Sequence, residues 1–224
     1  MPLTYVIPDL HGRRDLLDRA LARLCDHAGG AASTLVVLGD YVDKGPDSRG
    51  VIARLRAGMP APWRLAMLKG NHDAMMVAAL RDPAASRADG RMDDWLAKGG
   101  AIALASYGGE VADVPLHDLD WLDGRPLLHV DAHRVYVHAG VDPTVSLARQ
   151  EARLMMTKRY ADDDTRGHGA RHVVHGHDRH VDGPLLTAGR SNLDACAWKT
   201  GRLVVGVFDD DVPGGPVDVI EILG

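Results

Sequence analysis

Leu3–Gly12 reads LTYVIPDLHG, and Thr34–Gly45 reads TLVVLGDYVDKG. Each begins as a run of aliphatic and β-branched residues, the composition of a buried strand, and stops abruptly at polar residues with glycine close by. Between them, Leu16, Leu17, Ala20, Leu21 and Leu24 recur at helical spacing from Arg13 to Cys25, and Gly29-Gly30 closes that helix. The same unit follows again. Ser48–Gly58 puts Val51, Ile52 and Leu55 on one helical face, Trp63–Leu68 is a third strand ending at Lys69-Gly70-Asn71-His72, and a helix runs from Asp73 to about Arg81. Strand and helix alternating three times predict an α/β domain with parallel strands. In such sheets ligands bind at the carboxyl ends of the strands, where this chain places its polar residues.

Further along, His133–Val137 is a strand closed by His138-Ala139-Gly140, and Arg171–Val174 is one closed by His175-Gly176-His177. Residues 82–128, with Trp95, Trp121 and several glycines, predict short helices forming a lid over the strand ends. Near the end, Asn192–Trp198 and Arg202–Phe208 alternate around Lys199-Thr200-Gly201 and predict a β-hairpin, with a last strand over Val217–Leu223.

A length of 224 residues suits a single domain spanning 1–224, since one hydrophobic core keeps growing to about 250–300 residues. The two cysteines, Cys25 and Cys196, form no disulfide framework, and no segment nears the ~20 apolar residues of a membrane helix. The expectation is a cytosolic protein with no membrane partner. A net charge of -5 without a basic run argues against nucleic acid as a partner.

Five clusters carry the chemistry: Asp9-Leu10-His11, Gly39-Asp40-Tyr41-Val42-Asp43, Gly70-Asn71-His72-Asp73, His138-Ala139-Gly140 and His175-Gly176-His177. Singly, each has an ordinary explanation as a turn, a helix cap or a hydrogen-bonded loop histidine. Together they are five strand ends in order, each bearing Asp, Asn or His, and their side chains would share one cleft. Such donors without thiolates suit Mn, Fe, Zn, Co or Ni, manganese being the first expectation. An Asp able to bridge, such as Asp40, would make a binuclear site, and two ions about 3.5–4 Å apart clamp a phosphoryl group and its attacking oxygen.

The motifs PDLHG, GDYVDKG, GNHD, HAG and HGH, with GPDSRGVI, VHAGVDP and SNLDACAWKTGRLVVGVF around them, resemble the phosphoprotein phosphatase branch of the calcineurin-like metallophosphoesterases, above all its small bacterial members. The resemblance covers almost the whole chain and implies a four-layer α-β-β-α sandwich of two mixed sheets with helices outside. It implies Asp9, His11 and Asp40 as ligands of one divalent ion, and bridging Asp40 with Asn71, His138 and His177 as ligands of a second. His72 would be the general acid, oriented by Asp43, because a carboxylate beside a histidine stabilises its protonated form. The reaction implied is direct attack on phosphorus by a metal-bridging hydroxide.

Phosphate-binding arginines of the family are replaced here. Lys44 stands in the second motif, and Lys158, with Arg159 beside it, in the segment after HAG; Asn71 would also face the phosphate. Lysine is a point charge where arginine is a fork, so orientation should loosen before affinity is lost. Pro8 stands where the family has glycine, and Asp73 where it has glutamate. His175 and His180 read as neighbours of the last ligand. The first expectation for the substrate is a phosphorylated protein carrying phosphoserine, phosphothreonine or phosphotyrosine, or a small phosphoester. The alternative is a symmetrical dinucleoside tetraphosphate, whose hydrolases have similar motifs but usually lack the second Asp of the second motif, here Asp43. A catalytically weak metal-binding scaffold is the remaining reading, supported only by the two lysine replacements.

Overall fold

A computed structural model describes residues 2–161 and 163–224. The first strand-helix repeats form as the hydrophobic pattern requires: β1 (Leu3–Ile7), α1 (Arg14–Ala28), β2 (Ser33–Val37), α2 (Ser48–Ala57), β3 (Arg64–Met67) and α3 (Asn71–Leu80). Gly29 ends α1 in the left-handed conformation at φ 56°, as a glycine beyond a helix terminus does most cheaply. Asp47 caps α2 by accepting from the Gly50 amide.

Four short helices follow, α4 (Pro83–Ala88), α5 (Arg91–Trp95), α6 (Ala101–Tyr107) and α7 (Leu116–Asp123). The segment expected to be helical is so, and it is built into the main core: Met92, Trp95, Leu104, Leu119 and Leu122 pack with residues of α1, α2 and α3. Between α5 and α6 the chain kinks at Gly99, φ 117°, whose carbonyl accepts from the Lys44 amide.

The remainder comprises β4 (Leu128–Val130), β5 (Arg134–Val137), α8 (Ala152–Thr157), β6 (His172–His175), β7 (Leu185–Leu186), β8 (Arg190–Asn192), α9 (Ala197–Thr200), β9 (Arg202–Asp209) and β10 (Asp218–Leu223). Two five-stranded sheets result, ordered β10-β9-β1-β2-β3 and β4-β5-β6-β8-β7. Both are mixed: β1, β2 and β3 run parallel, as do β5, β6 and β8, while β9 pairs antiparallel with β1 and β10, β4 with β5, and β7 with β8.

The sheets face each other across Val6, Val36, Leu38, Leu68, Tyr136, Val174, Leu193 and Phe208, all fully buried. Each such side chain contributes about 1.5–3 kcal/mol relative to exposure. Outside the first sheet lies the large helical layer. Outside the second, Met155 of α8 and a single turn at Leu147–Arg149 cover Val135, Val137 and Val173. The α-β-β-α sandwich is therefore present, with a fourth layer much thinner than the first. Among the described residues no helix is long and apolar enough to cross a membrane.

The expected hairpin over 192–208 does not form. β8 pairs with β6 and β7 in one sheet, and β9 with β1 and β10 in the other. The chain between them crosses from sheet to sheet through Cys196, φ 59°, and the single turn of α9. Every residue from Asn192 to Ala197 is buried in this crossing segment, polar and apolar alike, so the alternation marks no half-exposed strand.

Candidate active site

Parallel strands bring like ends together. Asp9, Asp40 and Asn71 follow β1, β2 and β3, while His138 follows β5 and His177 follows β6. Backbone hydrogen bonds lock these exits: the Leu10 and His11 amides both donate to the Asp40 carbonyl at 3.1 and 2.8 Å, and the Gly176 amide donates to the His138 carbonyl at 2.8 Å. The two sheets are joined at the site itself, where the His177 amide donates to Asp9 Oδ1 at 3.0 Å.

Asp40 sits centrally. Its Oδ2 lies 3.5 Å from His11 Nε2 and its Oδ1 3.5 Å from His138 Nε2. Asp9 Oδ2 is 3.8 Å from His11 Nε2, and the Asn71 amide oxygen is 3.0 Å from His138 Nε2. Donor atoms of His11, Asp40 and His72 form one set within 4.8 Å of one another, and those of Asp40, His138 and His177 a second, Asp40 being common to both.

The protonation of these rings is fixed by their partners. His11 Nδ1 is 2.8 Å from the Val42 carbonyl and His138 Nδ1 3.1 Å from the Leu38 carbonyl. A carbonyl only accepts, so each Nδ1 carries the proton. Burial lowers the pKa of His11 to about 3, and lowers that of His138 as well. Both rings are then neutral, and each Nε2 turns a lone pair toward carboxylate or amide oxygens. At His138 this sets lone pair against lone pair, which is repulsive until a cation lies between them, while at His11 the Lys44 ammonium stands 2.7 Å from Nε2. Nδ1–H held by a backbone carbonyl with Nε2 directed inward is also how metal-ligating histidines are oriented.

The carboxylates tell the same story. Burial, then Asp194 and Asp40, push the Asp9 carboxyl well above its usual range, and burial pushes Asp194 up to about 6. A buried cluster of acidic groups and neutral imidazoles, with Asp40 common to both donor sets, is chemically suited to divalent ions.

Beside this centre His72 Nδ1 lies 2.6 Å from Asp43 Oδ2. Asp43 is fully buried, and its other oxygen accepts from Trp95 Nε1 at 3.0 Å. The indole thereby fixes the carboxylate that fixes the imidazole. His72 is also held through its backbone amide, which donates to Asp40 Oδ1 at 2.9 Å.

The backbone is strained where the side chains converge. Among the described residues six non-glycines have positive φ, and five of them are His11, Asp40, Asp43, Lys44 and His177. Left-handed conformations outside glycine cost about 1–3 kcal/mol each and persist where neighbours hold them. One such neighbour is Gly70: a Cβ there would lie 2.1 Å from Asp40 Oδ1, so only glycine allows β3 to end this close to the Asp40 carboxylate.

Another is Asp73, buried at the start of α3. Its Oδ2 accepts from the Asp40 and Gly70 amides at 2.8 and 2.9 Å, and its Oδ1 from the Tyr41 amide at 2.9 Å. Asp73→Ala would strand three buried donors, each costing about 1–3 kcal/mol, partly offset because one buried carboxylate is also removed. The net loss should be about 2–4 kcal/mol, read as a fall in Tm of about 5–10 °C. An unchanged Tm would show that the Asp40 loop holds itself.

Four cations line the cleft, which has a volume of about 350 Å3: Lys44, Lys98, Arg159 and Arg179. Lys44 Nζ approaches His11 Nε2 at 2.7 Å. Lys158 is not among the lining residues; its ammonium lies over the Tyr160 ring, 4.8 Å from the centroid, and Arg159 reaches the cleft instead. His175 is fully buried with Nδ1 on the Gly176 carbonyl and Nε2 3.4 Å from Arg190 Nη1, away from the donor sets. Sequence reasoning did not single out Trp95, Lys98, Arg179 or Asp194. Asp194 lies within the stretch SNLDACAWKTGRLVVGVF and Arg179 two residues beyond HGH; Trp95 and Lys98 carry no local signal.

A model of the calcineurin-like phosphoesterases matches residues 3–197. The chain is 33% identical over 154 residues to a protein named bis(5'-nucleosyl)-tetraphosphatase, symmetrical, from Dechloromonas aromatica (strain RCB), covering 67% of this chain and 49% of that one. It is 35% identical over 96 residues to serine/threonine-protein phosphatase 2 of Escherichia coli (strain K12), covering 43% and 38%. A solved structure provisionally assigned as a diadenosine tetraphosphatase superposes with a TM-score of 0.68 at 23% identity, over 99% of this chain and 93% of that chain, which shows a shared fold. The chain spans about half the length of the curated tetraphosphatases it matches, 49% and 44% in two cases.

Proposed function

The chain belongs to the calcineurin-like phosphoesterase family, and from that premise we propose that it is a metal-dependent hydrolase of symmetrical dinucleoside tetraphosphates, cutting them to two nucleoside diphosphates. The observation that carries this reading is the set of four cations, Lys44, Lys98, Arg159 and Arg179, around the cleft that holds the donor sets. A tetraphosphate chain spreads several charges over its length and can engage all four, whereas a lone phosphoryl group meets one or two. Names carried by relatives support the same substrate class.

In this reading Asp9, His11 and Asp40 hold one ion, and Asp40, Asn71, His138 and His177 the other. When bound, the two ions supply positive charge to the phosphoryl oxygens and acidify the attacking water. Lys44, with Asn71, orients the phosphoryl group, and Arg159, in preference to Lys158, steadies the rest of the chain. His72 is the acid that protonates the departing oxygen, with Asp43 and Trp95 holding its ring.

A second reading, hydrolysis of phosphoserine or phosphothreonine in proteins, is favoured by the His72–Asp43 pair at 2.6 Å, because an alkoxide leaving group needs an acid more than a phosphate does. A substrate panel separates the two. With Mn2+ supplied, diadenosine tetraphosphate should be cleaved to ADP with kcat/KM about tenfold or more above those of phosphopeptides and para-nitrophenyl phosphate. Phosphopeptide turnover with the tetraphosphate left intact would assign the chain to the second reading.

A further inference from the structure

Beside the catalytic cleft lies a second cavity, of about 470 Å3, lined by Asp178, Val181, Cys196, Trp198 and Lys199, and sharing Arg159 and Arg179 with the first. The shared arginines place the two side by side. A second link runs through Lys44, which lines the first cavity and whose ammonium lies 5.7 Å from the centre of the Trp198 ring. We propose that this second cavity is a nucleoside subsite, in which Trp198 stacks the base of a nucleotide whose phosphates lie between Arg159 and Arg179. The proposal rests on the tetraphosphate reading and extends it, naming where one nucleoside end of that substrate binds.

Three observations favour a nucleoside over other occupants. The volume falls within the roughly 300–1,000 Å3 of small-molecule sites. Trp198 is the single Trp, Tyr or Phe lining either cavity, is half-buried, and has an indole Nε1 that is enclosed without a protein acceptor. An aromatic face next to cations that follow a phosphate chain is the combination that binds nucleotides of any base, since every base offers a π-face. Asp178, 4.0 Å from Arg159, adds a carboxylate able to accept from sugar hydroxyls.

Calorimetric titration of the Mn2+-loaded protein with AMP and with ribose 5-phosphate, which differ only by the base, tests this directly. AMP should bind about tenfold tighter. Trp198→Ala should erase the preference and Trp198→Phe restore most of it. Equal affinities in the wild type, which need no variant to measure, would overturn the subsite, as would a preference that survives Trp198→Ala. The two readings fail separately. A preference for AMP without cleavage of diadenosine tetraphosphate overturns the substrate assignment alone. Cleavage without the preference overturns the subsite alone.

Discussion

Asp40→Asn is expected to abolish activity while changing the stability of the metal-free fold little. Asp40 is the one carboxylate common to both donor sets, and an amide in its place removes the negative charge that two cations would share. Removing several kcal/mol of charge stabilisation lowers turnover by on the order of 10^3-fold or more. Burial, and after it the charge of Asp40, raises the pKa values of Asp9, Asp43, Asp73 and Asp194. Neutralising Asp40 relieves these four neighbours but also gives up its own attraction to His138, His72, His11 and Lys44, which holds its carboxyl below the usual range against burial. The variant is nearly isosteric and keeps an oxygen for the His72 amide. Thermal melts with and without Mn2+ read both effects. Ligand present at about 100 times its Kd adds about 2.7 kcal/mol, roughly 5–10 °C for a chain of this length. The wild type should gain that shift and Asp40→Asn should not, with metal analysis of the purified proteins following the same pattern. A variant that still gained the shift would remove Asp40 from the metal centre.

What could be read from the sequence, and what could not, divides along physical lines. Asp9, Asp40, Asn71, His138 and His177 were legible because each closes a run of strand-forming residues, and parallel strands oblige their ends to meet. Glycine beside Asp40 and Asn71 was legible for the same reason, since close backbone approach leaves no other residue type. Trp95 was not. It reaches Asp43 from 52 residues away, and nothing in the local pattern of α5 marks it. Lys158 and Arg159 differ by one position. α8 ends at Thr157 and Lys158 is already extended, so consecutive side chains point opposite ways and a one-residue ambiguity decides which cation enters the cleft. The hairpin expected near the carboxyl terminus failed on partner choice. β9 is a strand buried on both faces along nearly all its length, but its edges are taken by β1 and β10, and a hydrophobic run describes a strand without naming its neighbours.

Replacing the acid should separate the two substrate classes as well as test its role. His72→Asn, and more mildly Asp43→Asn, should leave metal content unchanged and lower turnover of an alkyl phosphate by about 10^2–10^4-fold. The penalty depends on what departs. An alkoxide is about as basic as hydroxide, water having a pKa of ~15.7, and cannot leave unprotonated. A departing phosphate has a second pKa of about 6 and needs little help. Loss on diadenosine tetraphosphate should therefore be small, and loss on phosphoserine peptides large. Against a series of aryl phosphates the variant's rate should fall more steeply with leaving-group pKa than the wild type's. The geometry leaves one competitor, because a ring nitrogen of His72 also lies within 4.8 Å of donor atoms on His11 and Asp40. If His72→Asn lost metal and activity together, with the same loss for every leaving group, His72 would be holding an ion, and its contact with Asp43 at 2.6 Å would be the carboxylate–imidazole support of a ligand, not the orienting of an acid.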